Sequence, residues 1–258
     1  MVATHQDRNL QVRTVGMDRP WAWLAAGWRD FLSAPKVGLT YGAIFAGFGL
    51  VITAGAGAAG VIYLTLPLAA GFMLIGPILA VGLYDTSRRL ALGERPTLAQ
   101  AAAAWKTNAT QIALFGVLLL IIFLFWIRLA SLLFALFFSK SALSIGRLVD
   151  ETLFSANGVS FLTVGSLIGA ALAIGVFAVS VVSVPMLLDR PVNVFRAVAT
   201  SLDVARRNPK TMALWAGLIV LFAGVGLVTF YVGLVVALPL LAHATWHAYR
   251  DTVGDTDY

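Results

Sequence analysis

Long uncharged apolar runs alternate with short polar stretches along this chain. Residues 37–84, 107–127, 152–188 and 211–249 contain no Lys, Arg, Asp or Glu. A helix needs roughly 20 apolar residues to cross hydrocarbon, so the first and last runs are each long enough for two crossings. The pattern predicts six membrane helices, over 38–61, 65–86, 108–132, 160–187, 211–230 and 232–249. Backbone amides in hydrocarbon must bond internally, and runs this continuous do not alternate as barrel strands do. The fold class is therefore an all-α membrane protein, with the six helices arranged as three hairpins.

Each hairpin follows a short cationic amphipathic segment that opens with an acidic residue, Arg and Pro. The openers are Asp18-Arg19-Pro20, Glu94-Arg95-Pro96 and Asp189-Arg190-Pro191. With Lys106-Thr107-Asn108 set over Arg206-Arg207-Asn208, Ile112 and Phe115 fall on Met212 and Trp215. Pro35-Lys36 aligns with Pro209-Lys210, which places Tyr41 opposite Trp215. A second register marks the returning helices. There Pro77, Pro185 and Pro239 each precede an arginine (Arg88, Arg196 and Arg250) by the same interval, close to three helical turns. The two registers need gaps between units to hold together. The expectation is a pseudo-threefold repeat with units at 18–88, 94–188 and 189–250. It makes 18–250 one membrane domain, between a disordered cytoplasmic N-terminus (1–17) and a cytoplasmic tail (251–258).

The segments before the hairpins read as interfacial helices on the cytoplasmic face. In 20–34 the expected apolar stripe is Trp21, Leu24, Trp28 and Phe31, with Arg29, Asp30 and Ser33 away from it. In 191–208 it is Phe195, Val198, Leu202 and Ala205, opposed by Arg196, Thr200, Asp203 and Arg207. Thr97 with Gln100 forms a capping-box signature after Pro96. Helices of this kind lie in the headgroup plane. The segment 141–154 reads the same way on the opposite side.

Composition sharpens the class. Sixty per cent of residues are hydrophobic and 12% charged, with a mean hydropathy of +0.89, far from soluble domains. No apolar core with a cleavage site precedes the first span, so that helix is expected to act as its own uncleaved signal. With no cysteine there is no disulfide framework or thiol chemistry. Arginine outnumbers lysine 14 to 4, the bias of a GC-rich bacterial genome. All basic residues except Arg128, Lys140 and Arg147 fall on one side of the predicted spans. The positive-inside rule then puts both termini in the cytoplasm. The net charge of +6 has the same origin and is assigned to anionic headgroups, not to nucleic acid.

Candidate chemistry is sparse. His243 and His247 stand one turn apart on one helix face, a spacing open to a metal or a proton relay. Structural zinc takes four ligands and catalytic zinc three, and no other His or Cys lies in a predicted span. The pair is therefore read as interfacial or packing residues, with no metal and no cofactor assigned. Asp85, Arg88 and Arg89 stand at the cytoplasmic end of the second span, and Asp189 and Arg190 at that of the fourth. Arg196 and Arg250 complete the polar candidates; Pro77, Pro185 and Pro239 are the helix-break candidates. Gly38-x3-Gly42-x3-Ala46 and Gly165-x3-Gly169-x3-Ala173 are small-residue ridges that suit either internal packing or dimerisation.

Three stretches carry a family resemblance: 76–85 (Gly-Pro-Ile-Leu-Ala-Val-Gly-Leu-Tyr-Asp), 183–190 (Ser-Val-Pro-Met-Leu-Leu-Asp-Arg) and 239–250 (Pro-Leu-Leu-Ala-His-Ala-Thr-Trp-His-Ala-Tyr-Arg). Through them, and over nearly everything from Pro20 to Asp251, the chain resembles domain-of-unknown-function family 2189, polytopic proteins of bacterial inner membranes. The resemblance implies a location and a fold but no activity. Members sometimes carry a cytochrome c oxidase subunit I label. An oxidase core needs six histidines, whereas this chain has three, so the resemblance implies at most an accessory association with a respiratory complex.

The expectation is a non-enzymatic inner-membrane accessory or scaffold protein whose partners are the lipid bilayer and other membrane subunits. The alternative is a carrier or channel for a small solute or lipid, motivated by the proline in each returning helix. A membrane enzyme would require His243, His247 and Asp85 to converge.

Overall fold

The computed structural model describes residues 10–61, 64–138 and 154–255. These described residues are built into helices apart from one two-stranded ribbon. In chain order the elements are β1 (Leu10–Val12), α1 (Arg19–Ser33), α2 (Pro35–Ala58), α3 (Thr65–Leu79), α4 (Val81–Ala91) and α5 (Leu98–Ala103). A 3₁₀ turn, Ala104–Asn108, leads into α6 (Ala109–Phe138). Then follow α7 (Ala156–Ser180), α8 (Ser183–Asp189), α9 (Val194–Arg207), α10 (Pro209–Val228), α11 (Leu234–Thr252) and β2 (Val253–Asp255).

Five helical stretches are long and apolar enough to cross a membrane: Pro35–Ala58, Pro67–Ala91, Leu98–Phe138, Ala156–Asp189 and Pro209–Val228. The sixth expected span corresponds to α11, which is not among them. Its second half carries His243, His247, Arg250 and Asp251, too polar a run to count by composition. The segment 141–154, with Lys140 and Arg147, lies almost wholly outside the described residues.

The chain forms two compact units. One comprises residues 48–76 and 117–177. In it the Trp126 indole N–H donates to the Pro67 carbonyl at 2.8 Å. Phe161 meets Phe138 edge-on at 5.3 Å between ring centres. Gly169 lies beneath the Trp126 ring, so part of the second small-residue ridge serves internal packing.

The other unit comprises residues 1–47, 77–116 and 178–258, and holds the polar clusters. Its centre is made by α4, α8 and α11, which all pack on one another. Each is covered by an amphipathic helix: α5 on α4, α9 on α8, and α1 on α11. The outer helices α5 and α9 each cover the helix that precedes them in sequence. Helix α1, first in the chain, covers the last.

Proline chemistry sets the breaks. Pro185 lacks the N–H that would bond Val181, and α7 ends at Ser180 before α8 resumes at Ser183. Ser201 of α9 fills the interrupted ladder. Its hydroxyl donates to the Ala178 carbonyl at 2.8 Å and accepts from the Val182 N–H at 3.4 Å. Pro77 lies two residues before the end of α3, and α4 restarts at Val81. Pro239 lies inside a continuous α11. The interval to arginine is therefore housed differently each time. Pro239 and Arg250 share one helix, Pro77 and Arg88 straddle the α3–α4 break, and Pro185 and Arg196 lie on separate helices.

The two expected stripes are not the faces that pack inside the protein. The buried face of α1 is Pro20, Trp23, Leu24, Gly27 and Phe31, while Trp21 and Trp28 are 57% and 43% exposed. The cause is close packing. A Cβ on Gly27 would sit 2.6 Å from the Ala244 nitrogen, so the glycine side of α1, not its widest tryptophan side, meets α11. On α9 the buried residues are Ala197, Thr200, Ser201 and Val204, and Phe195 is 82% exposed. Small and hydroxyl groups let α9 reach the α7–α8 break, which turns its apolar stripe outward.

The expected disorder of residues 1–17 is corrected for their described part. β1 pairs antiparallel with β2, in register Val12↔Val253. Val15 N–H then donates to the Asn208 side chain at 2.7 Å, and Asn208 donates back to the Arg13 carbonyl at 3.0 Å. The tail is likewise ordered through Asp255. The Thr97–Gln100 capping box forms as the sequence predicts, with both reciprocal bonds present.

Candidate functional site

Helices α1, α4 and α11 meet at a chain of four polar side chains. His247 Nε2 lies 2.8 Å from the Asp30 carboxylate. Ser87 also hydrogen-bonds Asp30, and its Oγ lies 2.8 Å from His243 Nδ1. His243 Nε2 is buried and without a hydrogen-bond partner. Burial works against the ionised form of Asp30, but the hydrogen bonds from His247 and Ser87, with the fields of both histidines, outweigh it. The carboxyl is held below its ordinary range.

The sequence-predicted candidates divide among clusters. His243 and His247 enter one network, although they do not touch each other. Asp85 is 1% exposed and takes both neighbouring arginines, Arg88 at 2.6 Å and Arg89 at 2.7 Å. Arg89 continues to Glu94 at 2.7 Å. Asp189 of α8 accepts from the Tyr249 hydroxyl at 2.7 Å and from Arg250 at 3.3 Å. Arg190 donates to the same Tyr249 oxygen at 2.7 Å. Arg196 stands in the first turn of α9, where Asn193 caps its N–H at 2.8 Å. Pro185 and Pro239 are buried, and Pro77 is half-buried.

Asp30, Ser87 and Trp23 are the residues that sequence reasoning missed. Asp30 reads as a solvent-facing acid because it adjoins Arg29, yet the packing of α1 brings it onto α11. Ser87 carries no signal beyond its place between Asp85 and Arg88. Trp23 packs edge-on against Trp215 at 5.7 Å, and its indole N–H donates to Asp251 at 2.8 Å. Arg19 reaches the same carboxylate at 2.7 Å.

Chemically, these clusters act as cross-links between helices. Ser87 is 1% exposed and His243 fully buried, so no substrate reaches the hydroxyl in this conformation. Among the described residues no three His, Asp or Glu side chains group as metal ligands. The network does provide a continuous hydrogen-bonded path from half-buried His247 to buried His243.

Residues 65–189 match the family model described as "Predicted integral membrane protein (DUF2189)". The match is narrower than the span from Pro20 to Asp251 that the resemblance suggests, and it leaves out α1, α2 and α9–α11. Among curated proteins and solved structures, none matches the chain.

Proposed function

We propose that this integral membrane protein is a non-enzymatic scaffold of a bacterial inner membrane, with both termini cytoplasmic. It holds other membrane subunits, those of a respiratory complex among them, or lipids against its apolar helices. The observation that carries this reading is the division of labour among side chains. The buried ionisable groups at the centre of the polar unit are committed to one another, while the candidate spans turn most of their apolar surface outward: no more than 39% of any span's apolar window is buried. Gentle solubilisation of the tagged full-length chain followed by native mass spectrometry tests it. Co-purifying membrane subunits or retained lipids are expected; recovery of bare monomer alone overturns it.

The finer architecture belongs to the same proposal: six helices as three hairpins about a pseudo-threefold axis. The cyclic covering of α4, α8 and α11 supports it, as does the matched behaviour of aligned positions. Ile112 and Phe115 are buried, and so are Met212 and Trp215. Asn108 and Asn208 each brace a distant backbone segment at the mouth of a span.

One observation favours the carrier reading as the alternative. The partnerless His243 Nε2 ends a hydrogen-bonded path, on the helix that contains Pro239. Proton flux into proteoliposomes that is lost in His243→Ala would favour it over the scaffold.

A further inference from the structure

Three of the chain's four lysines, Lys36, Lys106 and Lys210, stand where an amphipathic segment passes into one of the long apolar helices α2, α6 and α10. Helix α1 ends at Ser33 and α2 starts at Pro35. The 3₁₀ turn after α5 ends at Asn108 and α6 starts at Ala109. Helix α9 ends at Arg207 and α10 starts at Pro209. No linker intervenes at any of the three joints. If α2, α6 and α10 cross a bilayer, as proposed above, connectivity alone puts each joint at headgroup depth.

The outward faces of these amphipathic helices have the composition of that layer. Trp21, Trp28 and Leu32 are exposed on α1, Leu98 and Trp105 on α5 and its 3₁₀ turn, and Phe195 on α9. The Lys106 ammonium lies 5.9 Å over the Trp105 ring. Acidic neighbours are already engaged: Asp203 with Arg207 at 2.9 Å, Glu94 with Arg89, and Asp30 with His247. Arg29, Lys36, Arg95, Lys106, Arg206 and Lys210 are exposed, and none has a carboxylate partner among the described residues. At the first joint an open cleft of about 210 Å³ is lined by Ser33, Lys36 and Pro96.

We propose that α1, α5 with its 3₁₀ turn, and α9 form a collar that binds anionic phospholipid headgroups, with Lys36, Lys106 and Lys210 as its three phosphate contacts. Amphipathic helices with aromatic and cationic faces lie in the interface, and each cation near an anionic leaflet adds to binding. A lysine ammonium suits a phosphate as a compact point charge. Lipid is favoured over a soluble acidic partner because all three cations sit at span mouths and beside exposed aromatic rings.

The full-length chain in nanodiscs tests the collar through its own tryptophans, since Trp21, Trp28 and Trp105 are exposed whereas Trp23, Trp215 and Trp246 are buried. Brominated phosphatidylglycerol should quench the exposed set more than brominated phosphatidylcholine does. Native mass spectra should show anionic lipid retained selectively. Lys36→Gln, Lys106→Gln and Lys210→Gln together should abolish that selectivity, each contributing about fivefold at low salt, while quenching by phosphatidylcholine persists. Equal retention of both lipids by wild type, or undiminished selectivity in the triple variant, overturns the proposal. Unquenched tryptophans in an inserted, protease-protected protein overturn the collar but spare the membrane reading. Failure to insert would overturn that reading itself.

Discussion

Gly42 lies against the backbone carbonyl of Val235, the acceptor that Pro239 leaves without its intrahelical donor. A Cβ at position 42 would collide with that peptide. The glycine lets α2 approach α11 where the proline has loosened its ladder. The first small-residue ridge thus serves contacts inside the chain, with Gly38 fitted against Phe31 beside it.

Gly42→Ala is expected to lower stability by about 1–3 kcal/mol, because neither backbone can yield cheaply. Gly47→Ala, which meets nothing within 4 Å, is the control and should be near neutral. Thermal unfolding of both variants in detergent checks the pair; equal melting temperatures would refute the close-approach account.

Ser201→Ala removes the hydroxyl that completes the ladder between α7 and α8. It leaves the Val182 N–H and the Ala178 carbonyl buried and unbonded, at a cost of about 1–3 kcal/mol. Hydrogen exchange should accelerate at Val182 before the rest of α8. Ser201→Thr, which keeps the hydroxyl, should retain more protection than the alanine variant.

Asp85→Ala strips the shared carboxylate from Arg88 and Arg89, whose side chains are about a quarter exposed or less. Leaving two partly buried guanidiniums unpaired should cost about 3 kcal/mol. Adding Arg88→Met to Asp85→Ala should recover part of that loss, and a double-mutant cycle on denaturant midpoints reads the coupling.

Asp30 titrates lower in the fold than its ordinary 3.8. Its contribution to stability is therefore complete above that ordinary value. It disappears as pH falls through the lower folded one. Asp30→Asn should flatten this acid limb and leave the two proteins differing by a constant amount near neutrality. Unfolding midpoints measured between pH 6 and 3 would show it; parallel acid limbs would contradict the network.

The spans were legible because hydrocarbon imposes one uniform demand on every residue of a helix, so composition alone finds α2 and α10 to within a few residues. The faces of α1 and α9 were not. The close approach permitted by Gly27 or Ala197, small residues with little hydrophobic signal of their own, decides which side of each helix turns inward. Trp21 and Phe195, expected on membrane-facing stripes, are exposed. The histidine pair was visible as a spacing, whereas Asp30 and Ser87 come from helices remote in sequence, and no local pattern ties them to α11. The proline–arginine interval was a sound observation with a mixed meaning, since Pro185 ends one helix and Arg196 belongs to the next but one.

The placement of α1 on α11 has a consequence for synthesis. Arg19 and Trp23 leave the ribosome early, yet their shared partner Asp251 follows Arg19 by 232 positions. Through most of translation the first amphipathic helix has no docking face, and its glycine side must be held by the bilayer surface or a chaperone. Assembly of the polar unit therefore waits for α11, with a high separation between contacting residues and a correspondingly slow closure. A nascent chain arrested before α11 should expose the Gly27 side of α1 to protease, and a chain in which α11 is free to dock should protect it.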